Sequence, residues 1–188
     1  MESEELEGLL EGREETQSLE FKGPCAWSAN TFAKDILAMS NLQYGGRLVV
    51  GVENKTFKRL GMTPEQLRTY DLDVMRDQMG RFADPHVLFG SEPVVDRAGV
   101  QFLLIQVRTF QEIPVICAVD DEAAGVKKAT LYYRTSDRRP ESAPISNSYD
   151  MRTLLDLAAI RMRARRKAVG WVAPDELAKK LDKELGGL

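Results

Sequence analysis

Histidine and cysteine are almost absent from this chain of 188 residues, and several kinds of chemistry go with them. Cys25 and Cys117 are the only two cysteines and have no metal-ligand spacing, so neither a disulfide framework nor a cysteine zinc site is expected. His86 is the single histidine, which excludes histidine-rich metal sites and leaves a Ser/His/Asp triad without support. No serine or cysteine sits in a recognisable nucleophile elbow, and no Gly-x-x-x-x-Gly-Lys-Ser/Thr loop occurs. Any metal must therefore be held by carboxylates, which favour hard ions such as Mg2+ or Mn2+. Long apolar runs are missing too, so no membrane span is expected. The first residues, Met1 to Glu5, are acidic where a signal peptide would be basic, and a cytoplasmic location is expected.

What is present fits a globular domain: 43% hydrophobic and 29% charged residues are enough for a proper core. The net charge of −3 is unevenly distributed. Residues 1–20 carry eight acids against Arg13, a balance of −7, so the remainder carries +4. An acidic total is thus weak evidence against a polyanionic partner, because binding depends on where the charge sits.

Along the chain, residues 3–11 read as a short amphipathic helix with Ser3 as its cap and Gly12 as its stop. A strand follows at 18–22, closed by Gly23-Pro24. Ser28 caps a helix to about Leu42, with Phe32, Ile36, Leu37 and Met39 inward. Gly45-Gly46 leads into a strand at 47–53, and Asn54-Lys55 turns it into a hairpin ending near Leu60. Thr63-Pro64-Glu65-Gln66 is a helix start with a capping box, and the pattern continues to Phe82, burying Leu67, Leu72, Val74, Met75 and Met79. Residues 87–95 and 100–108 form an antiparallel pair, with further strands at 114–119 and 129–134. Residues 136–145 read as a loop. A long helix begins near Ser148 with Leu154, Leu155 and Met162 in register, and a short one is expected at 175–185. The domain boundary falls at 1–146 and 147–188. No internal repeat is visible.

Chemistry concentrates at two strands. In an extended chain Ser18, Glu20 and Lys22 share one face and Leu19 and Phe21 the other, which sets an acid and a base on one rigid element. In the second strand Leu48, Val50 and Val52 point one way and Val49, Gly51 and Glu53 the other. Gly51 beside Glu53 permits close approach of a backbone or ligand. Each strand alone reads better as an ordinary half-buried strand with a polar side.

Taken together, Glu15, Glu20-Phe21-Lys22, Asn41, Gly45-Gly46 and Gly51-Val52-Glu53 resemble the Schlafen-type AlbA-like nucleic-acid-binding domain family, and the likeness extends through Pro114 and Tyr133-Arg134. Thr16 and Glu53 depart from the family's commoner Ser and Asp. The resemblance implies an α+β fold: a mixed, largely antiparallel sheet with packed helices, here followed by C-terminal helices. It also implies contact with DNA or RNA. Certain members of that family are ribonucleases using three acids, which map onto Glu15, Glu20 and Glu53 as catalytic and metal-binding residues, with Lys22 alongside. Such a cluster would hold a divalent ion and polarise a phosphate.

The leading expectation is a DNA- or RNA-binding domain of a regulatory or defence-like system, with phosphate contacts from Arg47, Lys55, Lys58, Arg59, Arg134, Arg138 and Arg139. A Mg2+- or Mn2+-dependent endoribonuclease is the second reading. The third is an interaction module that forms a homodimer through the C-terminal helices, on the stripe Leu154, Leu155 and Met162. The basic run from Arg161 to Lys167 reads as a solvated helix face. Trp27 and Trp171 read as packed aromatics rather than base-stacking groups.

Overall fold

The computed structural model describes residues 3–12, 14–135 and 140–171, together with Lys183. The chain runs α1 (Ser3–Gly12), β1 (Leu19–Lys22), α2 (Ala29–Ser40), β2 (Gly46–Val50), α3 (Pro64–Arg68), α4 (Leu72–Gly80), β3 (Ala83–Asp84), β4 (Phe89–Val95), β5 (Gln101–Val107), β6 (Ile116–Cys117), β7 (Tyr132–Arg134), β8 (Ser142–Pro144) and α5 (Ser148–Ala168). The principal sheet has the order β1-β2-β5-β4, with β1 parallel to β2 and the other pairs antiparallel. Two small pairs, β3 with β6 and β7 with β8, lie apart from it. The fold is α+β with a mixed, mostly antiparallel sheet and a C-terminal helix, as expected.

Alternation along β2 dictates cover on both faces. Leu48 and Val50 pack with Phe32, Ile36 and Met39 of α2 in the larger core, while Val49 packs with Leu6 and Leu10 of α1 in the smaller one. Leu19 and Phe21 join the α1 side, so Glu20 and Lys22 face α2. The alternation fails at Gly51, whose φ of +113° ends the strand and sends Val52 to the α1 side with Val49. Val52 therefore does not share a face with Leu48 and Val50 as expected, and Glu53 belongs to a turn rather than to the strand.

The Gly45-Gly46 pair is sterically required. A Cβ at Gly45 would fall 2.1 Å from the Val107 carbonyl oxygen, and one at Gly46 would fall 2.5 Å from Met39 Sδ. Neighbouring Asn41 is fully buried and braces the small strands: its amide nitrogen donates to the Val115 and Tyr132 carbonyls at 2.9 Å, and its oxygen accepts from Val115 N–H at 2.8 Å.

Several expectations need correction. The helix expected from Pro64 to Phe82 is broken after Arg68, because Asp71 accepts from the N–H groups of Asp73 and Val74 and starts α4 afresh. Tyr70, between the two helices, is buried against Phe32 and Trp27 and donates to the Cys25 carbonyl at 3.0 Å. Val74 is exposed rather than buried. Ser28 stands at the start of α2 but makes no capping hydrogen bond through its side chain. The loop expected at 136–145 contains β8. Leu154 and Ala158 dock α5 into the larger core while Leu155 is exposed, so Leu154 and Leu155 do not form one outward stripe. The short helix expected at 175–185 lies outside the described residues apart from Lys183.

Replacing Asn41 by alanine strips a buried carbonyl pair and an N–H of their partners, which costs about 3 kcal/mol when buried backbone groups are left unsatisfied. Urea denaturation of Asn41→Ala should show that loss as a lower midpoint with an unchanged slope. A midpoint equal to wild type would contradict the bracing role.

Candidate functional site

Between β1, α2 and the β7–β8 hairpin lies a cleft of about 440 Å³, with Glu15, Glu20, Lys22, Lys34, Asp35 and Arg134 among its lining residues. Its floor is a chain of ion pairs. Lys22 Nζ lies 2.7 Å from Asp35 Oδ2 and 3.7 Å from Glu20 Oε1. Arg134 Nη1 lies 2.6 Å from Glu20 Oε2. Asp35 sits one turn after Phe32 and one before Met39 on the buried side of α2, and an acid in that apolar register was the sequence signal for it.

Arg134 is only 1% exposed. Besides Glu20, its guanidinium donates to the carbonyls of Thr16 at 3.1 Å and Leu19 at 3.3 Å, and it lies 3.4 Å from Ser142 Oγ. Its own carbonyl accepts from Gln17 Nε2 at 2.8 Å. These bonds tie the β7–β8 hairpin to the approach and start of β1. Arg134, expected as a phosphate contact, is buried, with its charge already engaged by Glu20.

The three mapped acids do not meet. Glu15 lines the cleft, but its Oε1 accepts from Phe21 N–H at 3.1 Å, which supplies the bend between Glu15 and β1. Glu53 is exposed, accepts from the Thr56 hydroxyl within its own turn, and is not among the lining residues. Among the described residues no group of three or more histidines, cysteines or acids is arranged to hold a metal. Both oxygens of Glu20 face cations of the protein. The donor set does not fit the divalent ion that the resemblance implies.

A family model described as Schlafen, AlbA_2 matches residues 15–141. The chain belongs to that family. Within this AlbA_2 domain the matched span takes in every lining residue of the cleft except Ser142. A search among curated proteins finds no match. Among solved structures, the DIP2311 protein from Corynebacterium diphtheriae is similar, with a TM-score of 0.49 and 20% identity over 78% of this chain. The chain spans about a quarter of that protein, 27% of its length.

The expected phosphate ligands of the AlbA_2 domain separate into distinct groups. Lys55 and Lys58 are exposed in the turn after Val52. Arg59 is held by Glu7 at 2.9 Å and Asp96 at 3.4 Å, so it fastens the hairpin base to α1 and to the β4–β5 turn. Arg47 is half-buried on β2. Arg138 and Arg139 lie outside the described residues. Lys34, which the sequence reading overlooked, is half-buried on the cleft wall. Trp27 stacks on Phe32 with ring centroids 5.1 Å apart and donates to Gln78, so it is packed as expected.

Burial pushes the Glu20 carboxyl above its ordinary range, assisted by Asp35 and Glu15, and Arg134 and Lys22 only partly oppose this. Burial acts most strongly on Lys22 too, against its charge, but Asp35 and Glu20 outweigh it and hold the ammonium above its ordinary value. A lysine whose folded-state value is raised binds its proton more tightly when folded. Its stabilisation is complete below the ordinary value of 10.5 and is lost as pH rises through the folded value. The stability difference between wild type and Lys22→Met should therefore be constant through neutral pH and shrink in the alkaline range, measured by urea denaturation across pH. A difference that stays unchanged through the alkaline range would contradict the pairing. Glu20→Ala leaves a buried arginine without its carboxylate and should cost about 3 kcal/mol, which the same denaturation reads directly.

Proposed function

We propose that this AlbA_2 domain binds DNA or RNA along the rim of the cleft, with the phosphate backbone lying across Lys34, Lys55 and Lys58. The observation that carries this reading is the position of the turn after Val52. Asn54 of that turn lines the cleft, and Lys55 and Lys58 project from the same turn into solvent. None of the three lysines forms an ion pair with a described residue, whereas Lys22, Arg59 and Arg134 all do.

Rigidity of the turn supports the same reading. Glu53 N–H donates to the Lys58 carbonyl at 2.9 Å, Phe57 N–H donates to the Glu53 carbonyl at 3.0 Å, and Lys55 and Phe57 take positive φ. Phe57 packs edge-on against Phe21 with centroids 5.7 Å apart, which anchors the turn to β1. Preorganised cations lose less freedom when a phosphate docks. The compensated floor beneath them holds four acids, Glu15, Glu20, Asp35 and Glu141, so a polyanion is favoured at the rim and not at the bottom.

Fluorescence anisotropy with labelled single-stranded RNA, tRNA and duplex DNA across a salt series tests this. Binding should weaken steeply with salt, because each neutralised phosphate releases counterions. The double variant Lys55→Ala, Lys58→Ala should weaken binding about tenfold and lower the salt slope by about two. Absence of binding to all three probes at low salt, or an unchanged slope in the variant, would overturn the proposal.

A further inference from the structure

The edge of the sheet at β4, opposite the cleft at β1, carries a second groove. It has a volume of about 850 Å³, with Arg76, Asp77, His86, Leu88, Gly90 and Arg108 among its lining residues. A smaller cavity of about 460 Å³ shares His86, Leu88 and Arg108 with it and continues to Phe110 and Ile113. Strand alternation builds the floor. Arg108 N–H donates to the Leu88 carbonyl at 2.8 Å, which carries the β4–β5 ladder one pair beyond Phe89 and Val107. Leu88, Gly90 and Arg108 therefore share the face that Val94 and Leu104 take farther along, where α1 covers it. A Cβ added at Gly90 would meet nothing within 4 Å, so the floor lies open there. Arg76 reaches over the edge from α4 and donates to the Phe89 carbonyl at 3.1 Å, which fixes its guanidinium at the groove.

Charge and apolar surface are separated along this groove. Among the described residues neither Arg76 nor Arg108 forms an ion pair, and Asp77 is the only acid lining the larger part. Glu112, in the smaller part, is already held by Arg165 at 3.0 Å. Leu88 and Ile113 are 42% and 50% exposed and supply apolar surface beside the cations. We propose that the groove binds a small phosphate monoester, its phosphate between Arg76 and Arg108 over Gly90 and its apolar body toward Leu88 and Ile113. Two guanidinium forks and the imidazole of His86 favour a phosphate, with three terminal oxygens, over a carboxylate, with two. Size agrees, since cavities of about 300–1,000 Å³ are those that take small ligands. The inference does not depend on nucleic-acid binding, which uses the cleft at the other edge of the sheet.

Isothermal titration calorimetry of the full chain with phenyl phosphate, inorganic phosphate, phenylacetate and benzyl alcohol tests this. Phenyl phosphate should bind saturably and about tenfold more tightly than inorganic phosphate, because its ring buries apolar surface. Phenylacetate should bind more weakly than phenyl phosphate, and benzyl alcohol should give no saturable heat. Arg108 is exposed, so Arg108→Ala reads the site without touching the core, and it should weaken phenyl phosphate about tenfold. Gly90→Val fills the open floor and should abolish that binding with an unchanged melting curve. No saturable binding of phenyl phosphate at millimolar concentration overturns the proposal. So does equal affinity for phenylacetate or inorganic phosphate, or an unchanged affinity in Arg108→Ala. A loss of oligonucleotide affinity in Arg108→Ala as large as its loss of phenyl phosphate affinity also overturns it, since the groove would then be part of the nucleic-acid interface.

Discussion

A guanidinium can be buried only where acceptors surround it, and Arg134 meets that condition with a carboxylate, two backbone carbonyls and a hydroxyl from separate parts of the chain. Glu20 lies on β1, Thr16 and Leu19 on or just before it, and Ser142 on β8. That side chain helps to fix the short β7–β8 hairpin, too small to be stable by itself, onto the edge strand of the main sheet. The cleft is the space this docking leaves open, and its shape depends on the pair. Because Arg134 satisfies Glu20, and Lys22 satisfies Asp35, the floor is settled within the protein.

That settlement divides the basic residues into two kinds. Arg59, Arg134 and Arg161 resemble surface cations in sequence, yet each is engaged with protein acceptors and holds one element to another. Lys34, Lys55 and Lys58 have no such partners among the described residues and sit at or beside the cleft mouth. Arginine suits the first role because its planar fork satisfies several acceptors at once, and lysine would suit the proposed phosphate contact because its compact charge can be approached from many directions.

Much of this was legible in the sequence, and the exceptions have physical causes. The strand at Glu20 to Lys22, the paired faces of Leu48 to Val50 and the role of Gly45-Gly46 follow from alternation and sterics, which are local. The family match over residues 15–141 agrees with the resemblance carried by those same motifs. Glu53 was misplaced because a single positive φ at Gly51 cancels the alternation, and no residue pattern announces it. Arg134 was read as a phosphate contact because Glu20, the carboxylate that engages it, lies more than a hundred residues away in sequence. The break between α3 and α4 was visible in Thr69-Tyr70-Asp71, where Asp71 is a strong cap, but the apolar period ran through it. Asp35 was there to be found as an acid within the buried stripe of α2.

The central claim is that the floor is structural and the rim receives the nucleic acid. A titration of isotope-labelled protein with a short oligonucleotide, followed by NMR of backbone amides and arginine side chains, addresses it most directly. The account predicts shifts at residues 54–58 and at Lys34, with the Arg134 guanidinium signal unmoved and slow to exchange with solvent. Movement of the Arg134 signal while the turn at Lys55 and Lys58 stays still would contradict it.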